Sequence, residues 1–350
     1  MGNVGRFAAV NSKVRVLEGR LLEEGQIEKL LRCKSFGEAL RYLNDSMPYR
    51  KVLKSYRIED LHRGQLELIL KRDYIKNFDK FQHYFNGDYK TLLKIFFMKF
   101  EIEDIKIIMR GIYIKKSRAE LNLLVTYQSA LSSINYEKLL KAPDIGSAME
   151  ELKDTVYYRY IANSVREIEK EGFFRFETSL DSSYYNELIR FIKKLDKEDR
   201  KILEMISGIQ VDLINLQWIF RAKKYYRLSP EEILAYTIYY GYRLNKDKLK
   251  ELCYTKSIDE FLDRLKGLAY RQIFLNSENQ DYLIEREIFS YLKEIYTKYK
   301  RDYKMNISVL YAYLELAYFE CRDIITIVEN KRYSIDYEES AKFITAVRRM

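Results

Sequence analysis

Glu101-Ile102-Glu103-Asp104-Ile105-Lys106-Ile107-Ile108-Met109-Arg110 is the stretch that decides how this chain is read, because its pattern returns twice. The frame is an acid (Glu101), Asp104 three residues later, Ile105, Ile108 and the charged Arg110. The second copy has Asp212, Asn215, Leu216, Ile219 and Arg221 at those places, and the third has Glu320, Asp323, Ile324, Ile327 and Glu329. Self-similarity at one period, here about 110 residues, marks a protein assembled from versions of a single unit.

Working outward, a second segment repeats in the same phase. Phe36, Ala39, Leu40 and Leu43 form one copy, Ile145, Ala148, Met149 and Leu152 another, and Ile258, Phe261, Leu262 and Leu265 a third. This spacing lays four apolar side chains along one stripe of a helix. Each is followed by a Tyr-Arg pair: Tyr49-Arg50, Tyr158-Arg159 and Tyr270-Arg271. A third element is a helix start. Ser117 with Glu120, Ser229 with Glu232 and Asp336 with Glu339 fit the capping box, in which a side-chain oxygen takes an orphan backbone N–H and the Glu reaches back. Pro230 falls on a first helical position, where a missing N–H costs nothing. The repeats predict an all-α fold of three similar helical domains, 1–116, 117–228 and 229–350. The tail from Asp336 resembles the start of a further module and is expected to pack back on the first domain.

Composition agrees with helices. The 350 residues hold three prolines (Pro48, Pro143, Pro230), all near proposed helix edges, and 13 glycines. Alternating strand patterns are not evident, and Asn86-Gly87 reads as a helix stop. No run of 18 apolar residues occurs, so no membrane span is expected. Residues 1–20 are too charged for a signal peptide. Cys33, Cys253 and Cys321 are odd in number and far apart, which fits buried thiols in a reducing cytosol and neither a disulfide framework nor a zinc site. The net charge of +10 permits an acidic protein, an anionic membrane surface or a nucleic acid as partner. Lys and Glu are interspersed, as in residues 193–200, where a nucleic-acid scaffold would show a clustered basic stripe. The 32 tyrosines read mostly as compositional bias. Tyr225-Tyr226 and Tyr239-Tyr240 stand too close to the repeated core to be read as a stacking platform.

Known chemical signatures are missing. His62 and His83 belong to no metal-ligand spacing, and no phosphate-cradling glycine loop or nucleophile elbow is present. No catalytic residue, cofactor or metal is expected. Glu101, Asp104, Asp212, Glu320 and Asp323 stand amid aliphatics, as an acid/base set would, but they recur once per module, as a structural device does. Arg110 and Arg221 supply guanidinium forks for a carboxylate on an adjacent helix.

The order and spacing of these elements resemble the C subunit of the archaeal and bacterial A-type and V-type ATPases, whose eukaryotic counterpart is the d subunit of the V-ATPase. The opening Ala8-Ala9-Val10-Asn11-Ser12-Lys13-Val14-Arg15-Val16-Leu17-Glu18-Gly19-Arg20-Leu21-Leu22 is similar to that family's first helix. Residues 212–223 resemble its middle signature and residues 320–333 its closing one. Two positions depart from the pattern: Asp104, where an Asn like Asn215 is expected, and Glu329, where the other copies have Arg.

The resemblance implies a funnel of three helical domains about a pseudo-threefold axis. It implies a non-catalytic rotor protein on the cytoplasmic side of the membrane, seated between a ring of proteolipid c/K subunits and the D and F subunits of the central stalk. Like elements in such a ring occupy like places, so Arg110, Arg221, Glu329 and Arg332 are the candidate partner contacts. The same residues would serve equally as internal ties between helices.

Overall fold

The computed structural model describes residues 3–58, 61, 63–126, 129–168, 172–226, 228–275, 283–302 and 304–346; His62 and the last four residues of the tail lie outside them. Among the described residues every regular element is helical. The chain divides into two compact units, Met1–Tyr74 with Gly208–Met350, and Ile75–Ser207. Both boundaries fall inside helices.

In the 75–207 unit the principal helix is α6 (Gly87–Tyr113), following α1 to α5 (Asn3–Glu18, Glu24–Arg32, Phe36–Asp45, Met47–Leu53 and Arg63–Phe81). Asn86 is its N-cap residue, and Gly87 opens it with φ +55. The dipeptide read as a stop is therefore also a start. Helix α6 buries residues on most of its circumference, from Tyr89 to Ile112. It is covered by α7 (Arg118–Leu124), α9 (Ile145–Glu151) and α11 (Phe174–Ile192), with α8 (Tyr136–Leu139) and α10 (Tyr158–Ile161) between them. Phe78, Phe97 and Phe100 meet edge-on or tilted in the core, an arrangement that aromatic quadrupoles favour.

The other unit holds α12 (Lys197–Arg221) from Gly208 onward, then α13 (Pro230–Ala235), α14 (Lys246–Cys253), α15 (Ile258–Arg264), α16 (Arg271–Leu275), α17 (Ile284–Arg301), α18 (Ser308–Arg332) and α19 (Tyr337–Ala341). The chain start returns here: α1, α2 and α3 all pack on α18. The tail helix α19 lies against α2, as its likeness to a module start suggests. The Tyr337 hydroxyl donates to Glu28 Oε1 at 2.7 Å, and Arg32 covers the Tyr337 ring.

The capping boxes form at Ser117/Glu120 and Ser229/Glu232, the latter with Pro230 just inside the helix. At the third, Asp336 accepts from the Glu339 N–H. The repeated apolar stripes share one burial pattern. Phe36, Ile145 and Ile258 are half-buried, and the three residues after each are buried. All three cysteines are buried thiols, and burial pushes Cys253 up to about 11 and Cys321 to about 12.

Candidate functional site

Each motif acid sits on the buried side of a long helix, facing a connection that has no regular backbone pairing. In α6 the Glu101 carboxylate accepts from the Ser133 N–H (2.7 Å), the Ser133 hydroxyl (2.9 Å), the Ile134 N–H (3.3 Å) and the Tyr157 hydroxyl (2.6 Å). In α12, Asp212 accepts from the Arg243 N–H (2.7 Å), the Leu244 N–H (3.1 Å) and the Tyr270 hydroxyl (2.9 Å). In α18, Glu320 accepts from the Leu22 N–H (2.7 Å) and the Tyr49 hydroxyl (2.6 Å). Ile134, Leu244 and Leu22 are corresponding residues, each just before the N-cap of a short helix. One device is built three times: a helix carboxylate holds the entry of the next short helix and a tyrosine beyond it. Buried backbone N–H groups outside helices need such an acceptor.

The second acid of each motif does the same for a later stretch. Asp104 accepts from the Thr126 N–H (2.9 Å) and the Tyr136 hydroxyl (3.0 Å). Asp323 accepts from the Thr345 N–H (3.0 Å), the Thr345 hydroxyl (2.7 Å) and the Ala346 N–H (2.9 Å). Asn215 accepts from the Ile238 N–H at 2.9 Å and also donates to the Ile238 carbonyl at 2.8 Å. That explains the departure at Asp104. A carboxylate fits where N–H and O–H groups converge, and an amide is required where one partner is a carbonyl.

Asp212 is a methylene shorter than Glu101 and Glu320, so its loop must come closer. Gly241 makes this possible: a Cβ there would stand 1.9 Å from Asp212 Oδ1.

Burial pushes the carboxyls of Glu101, Asp212 and Asp323 above their ordinary range, and that of Glu320 up to about 8. Raised carboxyls are also what an acid catalyst shows. Here hydrogen-bond donors from the same fold already occupy them. The tyrosine partners Tyr49 and Tyr157 are held well above the phenol range by burial and the facing carboxylate.

Three expectations from sequence need correction. The motif acids are not tied by arginines; their partners are backbone amides, hydroxyls and tyrosines. In the second copy of the Tyr-Arg element the bonded tyrosine is Tyr157, one residue ahead of the Tyr158-Arg159 pair, while Arg159 pairs with Glu187. Tyr225, Tyr226, Tyr239 and Tyr240 are exposed, so nearness to the core in sequence did not bury them.

The four candidate contact residues lie in separate places. Arg110 is an exposed residue that makes a two-pronged bond to Glu177 on α11, with Nη2 to Oε2 at 2.7 Å. Arg221 is half-buried, and no described residue partners it; Glu329 is half-buried one turn before the end of α18, and Arg332 is exposed at that end. Among the described residues no His, Cys, Asp or Glu cluster is placed to hold a metal ion, and no helix is long and apolar enough to cross a membrane. What sequence reading missed is the donor side, Leu22, Ser133, Ile134, Arg243 and Leu244. Backbone donors leave no mark on residue type.

A family model described as ATP synthase (C/AC39) subunit matches residues 10–343. Among the curated A-type ATP synthase C subunits that this chain is similar to, that of Archaeoglobus fulgidus is 23% identical, with 97% of this chain and 96% of the relative covered. That of Methanosphaera stadtmanae is 23% identical, over 93% of this chain and 83% of the relative, and that of Methanocaldococcus jannaschii 25%, over 83% and 72%. With the model spanning nearly the whole sequence and the repeated acid networks spread across the same span, this chain belongs to the ATP synthase (C/AC39) subunit family.

Proposed function

We propose that this chain is a non-catalytic subunit of the central rotor of an A-type or V-type ATPase. It seats the D and F subunits of the central stalk on the membrane proteolipid ring, and it transmits torque for H⁺ or Na⁺ transport coupled to ATP synthesis or hydrolysis. It acts as a peripheral protein on the cytoplasmic side of the membrane, with its three modules, near 1–116, 117–228 and 229–350, arranged as a funnel about a pseudo-threefold axis. The observation that carries the reading is the triple carboxylate device within a chain of this family. Each device locks a long helix to the loop that follows it in the module. A torque coupler has to be stiff, and densely packed helices with satisfied buried polar groups have low compressibility. The acids that would have served catalysis are committed to that locking.

Arg221 and Arg332 are the contact residues of this reading. A seat that survives rotation needs an interface in the permanent class, roughly 2,000 Å² or more. The test is extraction of membranes bearing the ATPase, followed by affinity capture of the chain. Co-capture of the D and F subunits together with the proteolipid ring is expected; capture of neither ends the reading. Arg221→Ala and Arg332→Ala are expected to weaken capture of D and F at an unchanged melting temperature. Unchanged capture with a lowered melting temperature would make both residues internal ties.

A further inference from the structure

The three long motif helices end alike. Helices α6 and α18 close on the C-cap residues Ile114 and Tyr333, followed by left-handed Lys115 (φ 58) and Ser334 (φ 56). Their orphan carbonyls are then taken by the Lys116 N–H on Gly111 O and the Ile335 N–H on Asn330 O, each at 2.9 Å. Helix α12 runs instead into a wider turn, Ala222–Tyr226, with Tyr225 at the corresponding position. Ile114 is 63% exposed, Tyr225 54% and Tyr333 62%. The cap is made by backbone groups and the left-handed residue, and it asks for nothing apolar one place earlier. A single exposed apolar residue is ordinary. A large one at the same position in all three modules has no account in packing, because none of the three is packed.

The neighbours are alike too. Exposed Tyr113 and Lys115 flank Ile114, Tyr226 follows Tyr225, and exposed Arg332 precedes Tyr333. The Lys224 ammonium lies 5.9 Å from the centre of the Tyr225 ring. Aromatic side chains beside Arg are what protein contacts use as anchors. The acids Glu120, Glu232 and Glu339 cap the next helices nearby, so the tips carry mixed charge. That favours a protein surface over an anionic bilayer, which draws on clustered Lys and Arg.

We propose that each helix tip, around Ile114, Tyr225 and Tyr333, is a complete docking point for one copy of the same partner chain. The partner is a protein present in several copies, each offering an apolar recess edged by carboxylates. Repetition points to it: three like contacts on one chain match a partner supplied as identical copies. The carboxylate edge complements Lys115, Lys224 and Arg332. This rests on the rotor reading, in which such a partner is the membrane ring.

Ile114→Ser, Tyr225→Ser and Tyr333→Ser, singly and together in the full chain, test it. All three are surface changes, so the fold is expected to survive. Retention is measured on the purified membrane sector of the ATPase, on the D and F subunits, and on protein-free phosphatidylglycerol vesicles. Each single variant is expected to lose a similar, several-fold share of retention on the membrane sector. The triple variant loses at least tenfold, and binding to D and F does not change. The proposal is overturned if the triple variant binds the membrane sector like the wild type, if one position carries the whole effect, if D and F are lost instead, or if the wild type binds the bare vesicles and the triple variant does not. Wild-type protein that binds neither the membrane sector nor D and F removes the rotor reading as well, whereas a wild type that binds while the variants do so unchanged removes the docking points alone.

Discussion

The Glu101 and Glu320 sites share a chemistry and differ in how the chain closes them. Glu101 reaches donors that lie 32 to 56 residues further along. Glu320 reaches back across 298 residues to Leu22 and 271 to Tyr49. The third module therefore lacks the continuation that would follow the tail, and the start of the chain supplies it. Closing a loop of the longer kind costs about 1.4 kcal/mol more than one of the shorter kind, from the logarithmic dependence on length. Among the described residues Glu320 also has two hydrogen bonds where Glu101 has four. A repeated device is thus weakest where the chain is joined end to start, and that seam is where sub-global opening begins.

The comparison is tested hardest by removing each acid. Glu101→Ala leaves two backbone N–H groups and two hydroxyls without their acceptor, and is expected to cost about 4 kcal/mol; Glu320→Ala strands half as many groups and should cost about 2 kcal/mol. Denaturant unfolding of the full chain measures both. A larger loss at Glu320 would reverse the ranking of the two sites.

Acidity separates them next. Burial first, with Asp323 adding to it, raises Glu320 to about 8, against the pull of the Tyr49 hydroxyl, the Leu22 N–H and Lys293. The carboxyl binds its proton more tightly in the folded chain than in the unfolded one, where it titrates near 4.5. The stabilisation is therefore full below about 4.5 and is lost as pH rises through about 8. Between about pH 5 and 8.5 the unfolding midpoint of the wild type should fall more steeply than that of Glu320→Gln, whose side chain does not titrate. Superimposable pH profiles would show that Glu320 ionises normally. Asp323 and Lys293, also displaced by burial, are present in both proteins and cancel in the difference.

The middle site sharpens the comparison by geometry. Gly241→Ala drives a methyl into the Asp212 carboxylate and is expected to cost about 2–3 kcal/mol, the range for overpacking. Asp212→Glu should also destabilise, although both other modules carry Glu at this place, because the Gly241 loop is already drawn in to the shorter acid. A neutral Asp212→Glu in thermal unfolding would mean that the loop relaxes freely.

What could be read in the residues beforehand follows from which partner has a side chain. The helix faces, the capping boxes at Ser117 and Ser229, the role of Pro230 and the buried cysteines all leave a mark in residue type. The acids were visible as anomalies amid aliphatics, yet their purpose was not, because what they hold is largely backbone. The tyrosines were half visible. Tyr49 and Tyr270 stood in a repeated pair, but a shift of one residue moved the role to Tyr157 and left Tyr158-Arg159 as a decoy. The reach of Glu320 back to Leu22 has no local signature, because it pairs the third copy of one element with the first copy of another.

The smallest effects come from the tyrosines, and they localise the seam. Tyr49→Phe, Tyr157→Phe and Tyr270→Phe each delete one hydroxyl donor and keep the ring, so each should cost about 1 kcal/mol. Similar energies are expected to spread differently. Tyr49→Phe frees one of only two hydrogen bonds that Glu320 makes across the seam, so amide hydrogen exchange should rise over residues 22–53 and stay unchanged over residues 129–161. Tyr157→Phe leaves Glu101 with the Ser133 and Ile134 donors, so its exchange should rise only near residue 157. If Tyr49→Phe raised exchange evenly along the chain, the start of the chain would be as firmly integrated as any interior segment, and the difference between the two sites would be one of connectivity without consequence.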